Sequence, residues 1–360
     1  MSDLLAPLTL PCGLELPNRA VLAPLTNLQS HSDGALGDDE YTWLLRRATG
    51  GFGWVSTCAA HVSEQGHAWD GQLGIHSDAC LPGLTRLAAG LRGAGAPSLV
   101  QLHHGGVQAK LADDPISTGG PEGARAATEA ELQQVTADYV AAALRAERAG
   151  FDGVEVHGAN GYLFTQFLAP ADNPRTDRYG GDLGGRALLL RETLRAVRAA
   201  VAPGFAVGVR ISPVDSWSRR GLVLADSLRV GRWLAEDGAD FVHLSLGTAA
   251  GPPPFEADEG PVAAAFRAAL PPEVAVVAAG GIWTREDAQA ALDCGADLVA
   301  LGRAAIGNPD WPRRCGAEGG APVRPPFAPE HLRGAAVGEA FLSYLSRFAG
   351  LVAGGAPARE

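Results

Sequence analysis

Residues 274–303 read VAVVAAGGIWTREDAQAALDCGADLVALGR, and this stretch decides the fold. Its first six residues are apolar throughout, as suits a strand buried on both faces of a parallel sheet. Gly280 and Gly281 break the run. Thr284, with Asp287 three residues on, signals a helix start, and Ala288, Ala291 and Leu292 follow at helical spacing. Gly295 marks a left-handed stop, and a second apolar run, 297–302, begins within two residues. The stretch is one strand–helix–strand unit.

The same grammar extends toward the N-terminus. Apolar runs recur at 19–24, 52–57, 97–102, 151–157, 205–211 and 240–246. The junction after each helix also repeats: Ala149-Gly150-Phe151-Asp152, Asp237-Gly238-Ala239-Asp240 and Cys294-Gly295-Ala296-Asp297. Thr128 and Glu131 form a capping-box pattern, ahead of Leu132, Val135 and Tyr139 at helical spacing. Eight strands alternating with helices predict an α/β fold, a (β/α)8 TIM barrel, ahead of a doubly wound open sheet. Helix-to-strand links are short, whereas segments 103–127 and 158–183 are long strand-to-helix loops that would roof the C-terminal face. That is where barrels carry their sites. Residues 1–326 are assigned to the barrel. Residues 327–360 are assigned to a C-terminal helix, expected over Leu332–Leu351, and a tail packed on the barrel or on the partner of a homodimer.

Composition narrows the function classes. The 360 residues carry a formal net charge of −11, and no basic run is present, which argues against nucleic acid and anionic membranes as partners. No apolar stretch reaches the roughly 18–20 residues that span a bilayer, and no signal-peptide pattern opens the chain. The five cysteines are scattered without a CxxC pair, as in a reduced cytoplasmic protein with neither a zinc nor an iron–sulfur ligand set.

The strand ends then carry the chemistry. Gly280-Gly281 after strand seven and Gly302-Arg303 after strand eight stand where a barrel binds phosphate, with unhindered backbone N–H groups and a guanidinium converging on an anion. Arg210, at the end of an otherwise apolar strand, calls for an anionic or acceptor-rich partner such as a bound cofactor. Lys110 is the only lysine and lies in a loop, against a Schiff-base aldolase. His103 and His104 are adjacent and would face opposite ways, against a metal centre. Glu155, on the same strand face as His157, does not make the paired carboxylates of a glycosidase. No GxGxxG follows the first strand. A phosphate-bearing cofactor without metal or lysine points to a flavin.

The run HGANGYLFTQFLAPADNPRTDRYGG at 157–181 resembles the Old Yellow Enzyme family of FMN-dependent ene-reductases. APLTN at 23–27, LGIHSD at 73–78, QLHHGG at 101–106, AGGI at 279–282 and LGRA at 301–304 carry the same resemblance. It implies FMN as bound cofactor and NADH or NADPH as co-substrate. Pro24 and Thr26 would line the isoalloxazine, Ala59 would approach it closely, and Gln101 would bond its pyrimidine edge. Arg210 would sit by N1 and the C2 oxygen, and Gly280, Gly281, Gly302 and Arg303 would hold the phosphate. His157 and Asn160 would grip the oxygen of a substrate carbonyl or nitro group, while flavin N5 delivers hydride to the β-carbon and Tyr162 protonates the α-carbon. The implied reaction is ping-pong reduction of electron-poor alkenes. A nitro or quinone reductase with a non-enone acceptor is the alternative. Leu28 stands where some relatives place an active-site aromatic, so the substrate rim is expected to differ.

Overall fold

The computed structural model describes residues 3–120, 123–214, 220–253, 260–316 and 320–356. Eight parallel strands close into a barrel: β1 (Ala20–Leu22), β2 (Val55–His61), β3 (Ser98–His103), β4 (Gly153–Gly158), β5 (Ala206–Ile211), β6 (Phe241–Ser245), β7 (Ala275–Ala279) and β8 (Leu298–Leu301). Each overlaps one of the apolar runs, although β2 starts three residues later and ends four residues later than its run. Helices follow the strands in turn, the longest being Glu129–Ala149 and Leu183–Ala200.

The barrel wall separates two apolar layers. The outward faces of the strands pack against the helices. The inward faces build a smaller core around Val21, Trp54, Leu99, Phe241 and Leu298. Gly208 makes room for it, since a Cβ there would lie 2.3 Å from the Phe241 ring. A hairpin pairing Leu8–Thr9 with Glu15–Leu16 brings Leu10 and Leu16 into this core. Its two-residue strands are too short for the sequence to signal.

The repeated junctions have a common physical role. Gly150, Gly238 and Gly295 take φ of 94°, 99° and 100°, the left-handed geometry that stops each helix. The Asp two residues later then bonds the preceding strand. Asp152 accepts from the Ser98 N–H at 2.8 Å, Asp240 from Val207 at 2.8 Å and Asp297 from Val276 at 2.9 Å. These carboxylates tie β4 to β3, β6 to β5 and β8 to β7. Asp240→Ala is expected to leave the buried Val207 N–H unpaired and cost about 2 kcal/mol, read as a lowered urea midpoint with unchanged m. An unchanged midpoint would remove the junctions from the account of stability.

The Thr128–Glu131 capping box forms, and the helix start at Thr284 forms a second one with Asp287. The long segments carry some structure of their own. Ile116–Ser117 pairs with Arg125–Ala126, and Leu163–Leu168 is a short helix. Buried Gln166 joins the two segments, accepting from Ser117 Oγ at 2.5 Å and donating to the Gly161 carbonyl at 2.7 Å.

The single helix expected over 332–351 is corrected. The chain forms Pro329–Gly334 and Glu339–Leu345, separated where Ala336 turns to φ 61°. Phe341 meets Trp43 edge-on at 5.6 Å. Buried Arg47 donates to the carbonyls of Ile306 and Ala335, both at 2.7 Å, joining this segment to the short helix Arg303–Gly307 after β8.

Candidate active site

Two adjoining cavities of about 400 and 370 Å³ open above the C-terminal ends of the strands, within the usual size of small-molecule sites. They share Pro24, Leu25, Arg210 and Arg303. Thr26 and Asn160 line the first, together with Phe341 and Tyr344 of the C-terminal segment. Gly280, Gly281 and Gly302 line the second.

The second cavity is built of backbone. Gly280 has φ 145°, and a Cβ there would lie 2.3 Å from the Leu246 carbonyl oxygen. Gly281 follows with φ 65°. At Gly302 a Cβ would meet only Leu25, at 3.5 Å, so packing does not demand the glycine there. Its backbone, at φ −100° and ψ −98°, is of a kind that suits glycine, and the open space beside it leaves room for a ligand to approach the chain closely. Exposed Arg303 adjoins Gly302 on both cavities, a pairing suited to an anion.

Arg210 lies between the two cavities. Its Nη2 donates to Ser245 Oγ at 3.1 Å, and that hydroxyl donates to Asn160 Oδ1 at 3.0 Å. Its Nε is buried without a hydrogen-bond partner among the described residues, and burial lowers the guanidinium's pKa. An orphaned cationic N–H beside glycine-walled space fits a flat, acceptor-rich cofactor with an anionic tail.

The end of β4 and the turn that follows it present hydrogen-bond donors. His157 Nδ1 accepts from the Ala159 N–H at 3.3 Å, which leaves Nε2 as the protonated nitrogen. Burial, with Arg210 and His243 nearby, holds the imidazole well below its usual pKa, so it is neutral. Asn160 sits in the left-handed region at φ 60°, and its N–H donates to Ser212 Oγ at 2.9 Å. Because Ser245 occupies its Oδ1, its Nδ2 is free to donate. The Tyr162 ring lies 5.2 Å from His157 and 4.4 Å from His103. Burial, assisted by Tyr344, pushes its hydroxyl up to about 12.

Gln101 and Ala59 lie side by side in the β2–β3 register, both buried. Gln72 donates to the Ala59 carbonyl at 3.0 Å, and its amide nitrogen also lies 3.0 Å from His103 Nδ1. Gln101 donates to Glu155 at 2.6 Å. Glu155 has a second partner. His243 bonds its other oxygen at 2.7 Å.

Several site residues escape sequence reasoning. Trp69, on the long turn after β2, stands 5.2 Å from His103 and 6.1 Å from Tyr162, ring to ring. Phe341 and Tyr344 reach the first cavity only because the C-terminal segment folds back over its own barrel. No local pattern announces either arrival. Leu28, expected to alter the substrate rim, adopts φ 55°, and its carbonyl lies 2.8 Å from where a Gly71 Cβ would be.

The model of the NADH:flavin oxidoreductase / NADH oxidase family matches residues 3–319. An NADPH dehydrogenase of Listeria innocua is 34% identical over 86% of this chain and 94% of its own length. Morphinone reductase in complex with tetrahydroNAD superposes with a TM-score of 0.79 at 30% identity, over 92% of this chain and 94% of that one. An old yellow enzyme homologue from Zymomonas mobilis gives 0.76 at 29% identity, over 87% and 92%. The chain belongs to this flavin oxidoreductase family, that of the Old Yellow Enzymes. It is an NAD(P)H-dependent oxidoreductase with FMN as its cofactor. Among the described residues no helix is long and apolar enough to cross a membrane.

Proposed function

We propose that the chain reduces the C=C bond of α,β-unsaturated carbonyl or nitro compounds with electrons from NADH or NADPH, in two separate half-reactions. The observation that carries this reading is the arrangement at the C-terminal end of β4. A neutral imidazole with its Nε2–H free, an amide with its Nδ2 free and a protonated phenol follow one another within six residues. FMN, when bound, supplies the hydride transfer that neither substrate could make directly with these side chains.

The protein's own residues do the rest. Arg303 and the N–H groups around Gly280, Gly281 and Gly302 hold the phosphate. Pro24, Thr26 and Ala59 border the ring system, and Gln101 and Arg210 bond its polar edge. His157 and Asn160 donate to the substrate oxygen, where charge builds as the alkene is reduced. Tyr162 holds the proton destined for the α-carbon. A buried hydroxyl with its pKa at about 12 does not lose that proton to solvent at neutral pH.

Phenols test the donor pair, since a phenolate oxygen resembles the developing enolate. Titration of the oxidised holoprotein with 4-hydroxybenzaldehyde is expected to perturb the flavin spectrum. Hydrogen bonds to a charged oxygen contribute about 1.5–3 kcal/mol each, so His157→Ala and Asn160→Ala should each weaken binding roughly 10–100-fold. Wild-type affinity in both variants would move the substrate site elsewhere.

A further inference from the structure

The inward residues at the top of the barrel are unevenly distributed. β3 to β6 contribute Gln101, Glu155, His157, Arg210 and His243, whereas β7, β8 and the residue after β1 face them with Ala279, Ala300 and Ala23. Glu155 stands at the centre of the polar arc. It is 1% exposed, with one oxygen taking the Gln101 amide N–H at 2.6 Å and the other the His243 Nδ1–H at 2.7 Å.

Two consequences follow from this bonding. One Gln101 N–H is held by Glu155, which fixes the amide's orientation and leaves its carbonyl oxygen and second N–H for another partner. His243 cannot cancel the carboxylate's charge. Its Nε2 is buried without a partner among the described residues, and burial lowers its pKa, so the ring is neutral and merely donates. The nearby cation is Arg210, which sits between His157 and His243 in the strand register. Burial pushes the Glu155 carboxyl up, but His243 and Arg210 together outweigh it and hold the group below its ordinary value. A fixed negative charge is therefore built into the barrel beside the guanidinium assigned to the flavin's polar edge.

We propose that Glu155 is a positioning residue for the flavin. It locks the orientation of the Gln101 amide toward the cofactor, and its buried charge limits how strongly Arg210 favours the reduced form. The inference rests on the flavin placement given under Proposed function. A negative charge nearby disfavours uptake of two electrons, so removing it should raise the midpoint potential.

The test is the midpoint potential of bound FMN, measured by equilibration with a reference dye. Glu155→Gln keeps the shape and removes the charge. It is expected to raise the ratio of reduced to oxidised FMN affinity about tenfold, which is about 30 mV upward for a two-electron couple. Glu155→Asp keeps the charge but shortens the reach to Gln101. Its potential should stay near wild type while FMN affinity falls. A yellow Glu155→Gln protein with the wild-type potential overturns the inference, and so do equal shifts in the two variants. Should Glu155→Gln give no folded holoprotein, His243→Leu carries the test. Without its imidazole donor the buried carboxyl takes up a proton, and the potential again rises; an unshifted value overturns the proposal. Wild-type protein that retains no FMN would overturn the flavin placement itself, a result distinct from all of these.

Discussion

Tyr162→Phe is expected to slow reoxidation of the reduced enzyme by 2-cyclohexenone by roughly 10²–10⁴-fold while leaving reduction by NAD(P)H nearly unchanged. The asymmetry follows from proton accounting. Hydride transfer from nicotinamide needs no proton from the protein, whereas saturating a C=C bond needs one at the α-carbon. A positioned general acid contributes about that factor. The ring lies among His103, His157 and Trp69, and its hydroxyl stays protonated at about 12 through burial. A tyrosine that only packs would give little change in either step, or equal damage to both. Quinones and nitro compounds should be far less sensitive, because their reduction does not wait for protonation at carbon. Stopped-flow measurement of each half-reaction separates the readings, and a Tyr162→Phe enzyme that reoxidises with the enone at the wild-type rate removes Tyr162 from the acid role.

Arg303→Ala should weaken FMN binding by roughly 10–100-fold, since charge-assisted bonds contribute about 1.5–3 kcal/mol. Arg303 is exposed at the cavity rim, so its loss should leave the urea midpoint unchanged. Riboflavin, which lacks the phosphate, sharpens the comparison. Arg303→Ala should bind it as well as wild type does, erasing most of the preference for FMN. Equal losses for both ligands would instead assign Arg303 to local structure. Arg210 serves as contrast, because substitutions there should weaken both ligands by acting on the ring.

The sequence is legible where one local pattern implies one local structure. Every barrel strand overlaps an apolar run, and the Gly-x-Asp junctions announce both the helix stop and the return to the sheet. Their second role, the carboxylate bonding the neighbouring strand, needs the register and is invisible in the chain. Glu155 shows the same limit at the site. Read alone it is a carboxylate without a second one beside it, because His243, its partner, lies 88 residues away and meets it only over the intervening strand β5. Tyr344 and Trp69 are similar, brought to the site by tertiary folding rather than by any motif. The break at Ala336 does have a local signal, Gly334 at the end of the first helix and Gly338 at the N-cap of the second. The anchoring of the Ala335 carbonyl by Arg47 and of the Gly338 N–H by Gln29 accompanies the bend.

The most direct measurement mixes the wild-type holoenzyme, first reduced anaerobically with one equivalent of NADPH or NADH, with 2-cyclohexenone. The account predicts that the oxidised-flavin absorbance returns and that one cyclohexanone forms per flavin. An enzyme that stays reduced in the presence of the enone, yet is promptly reoxidised by a quinone, would contradict it.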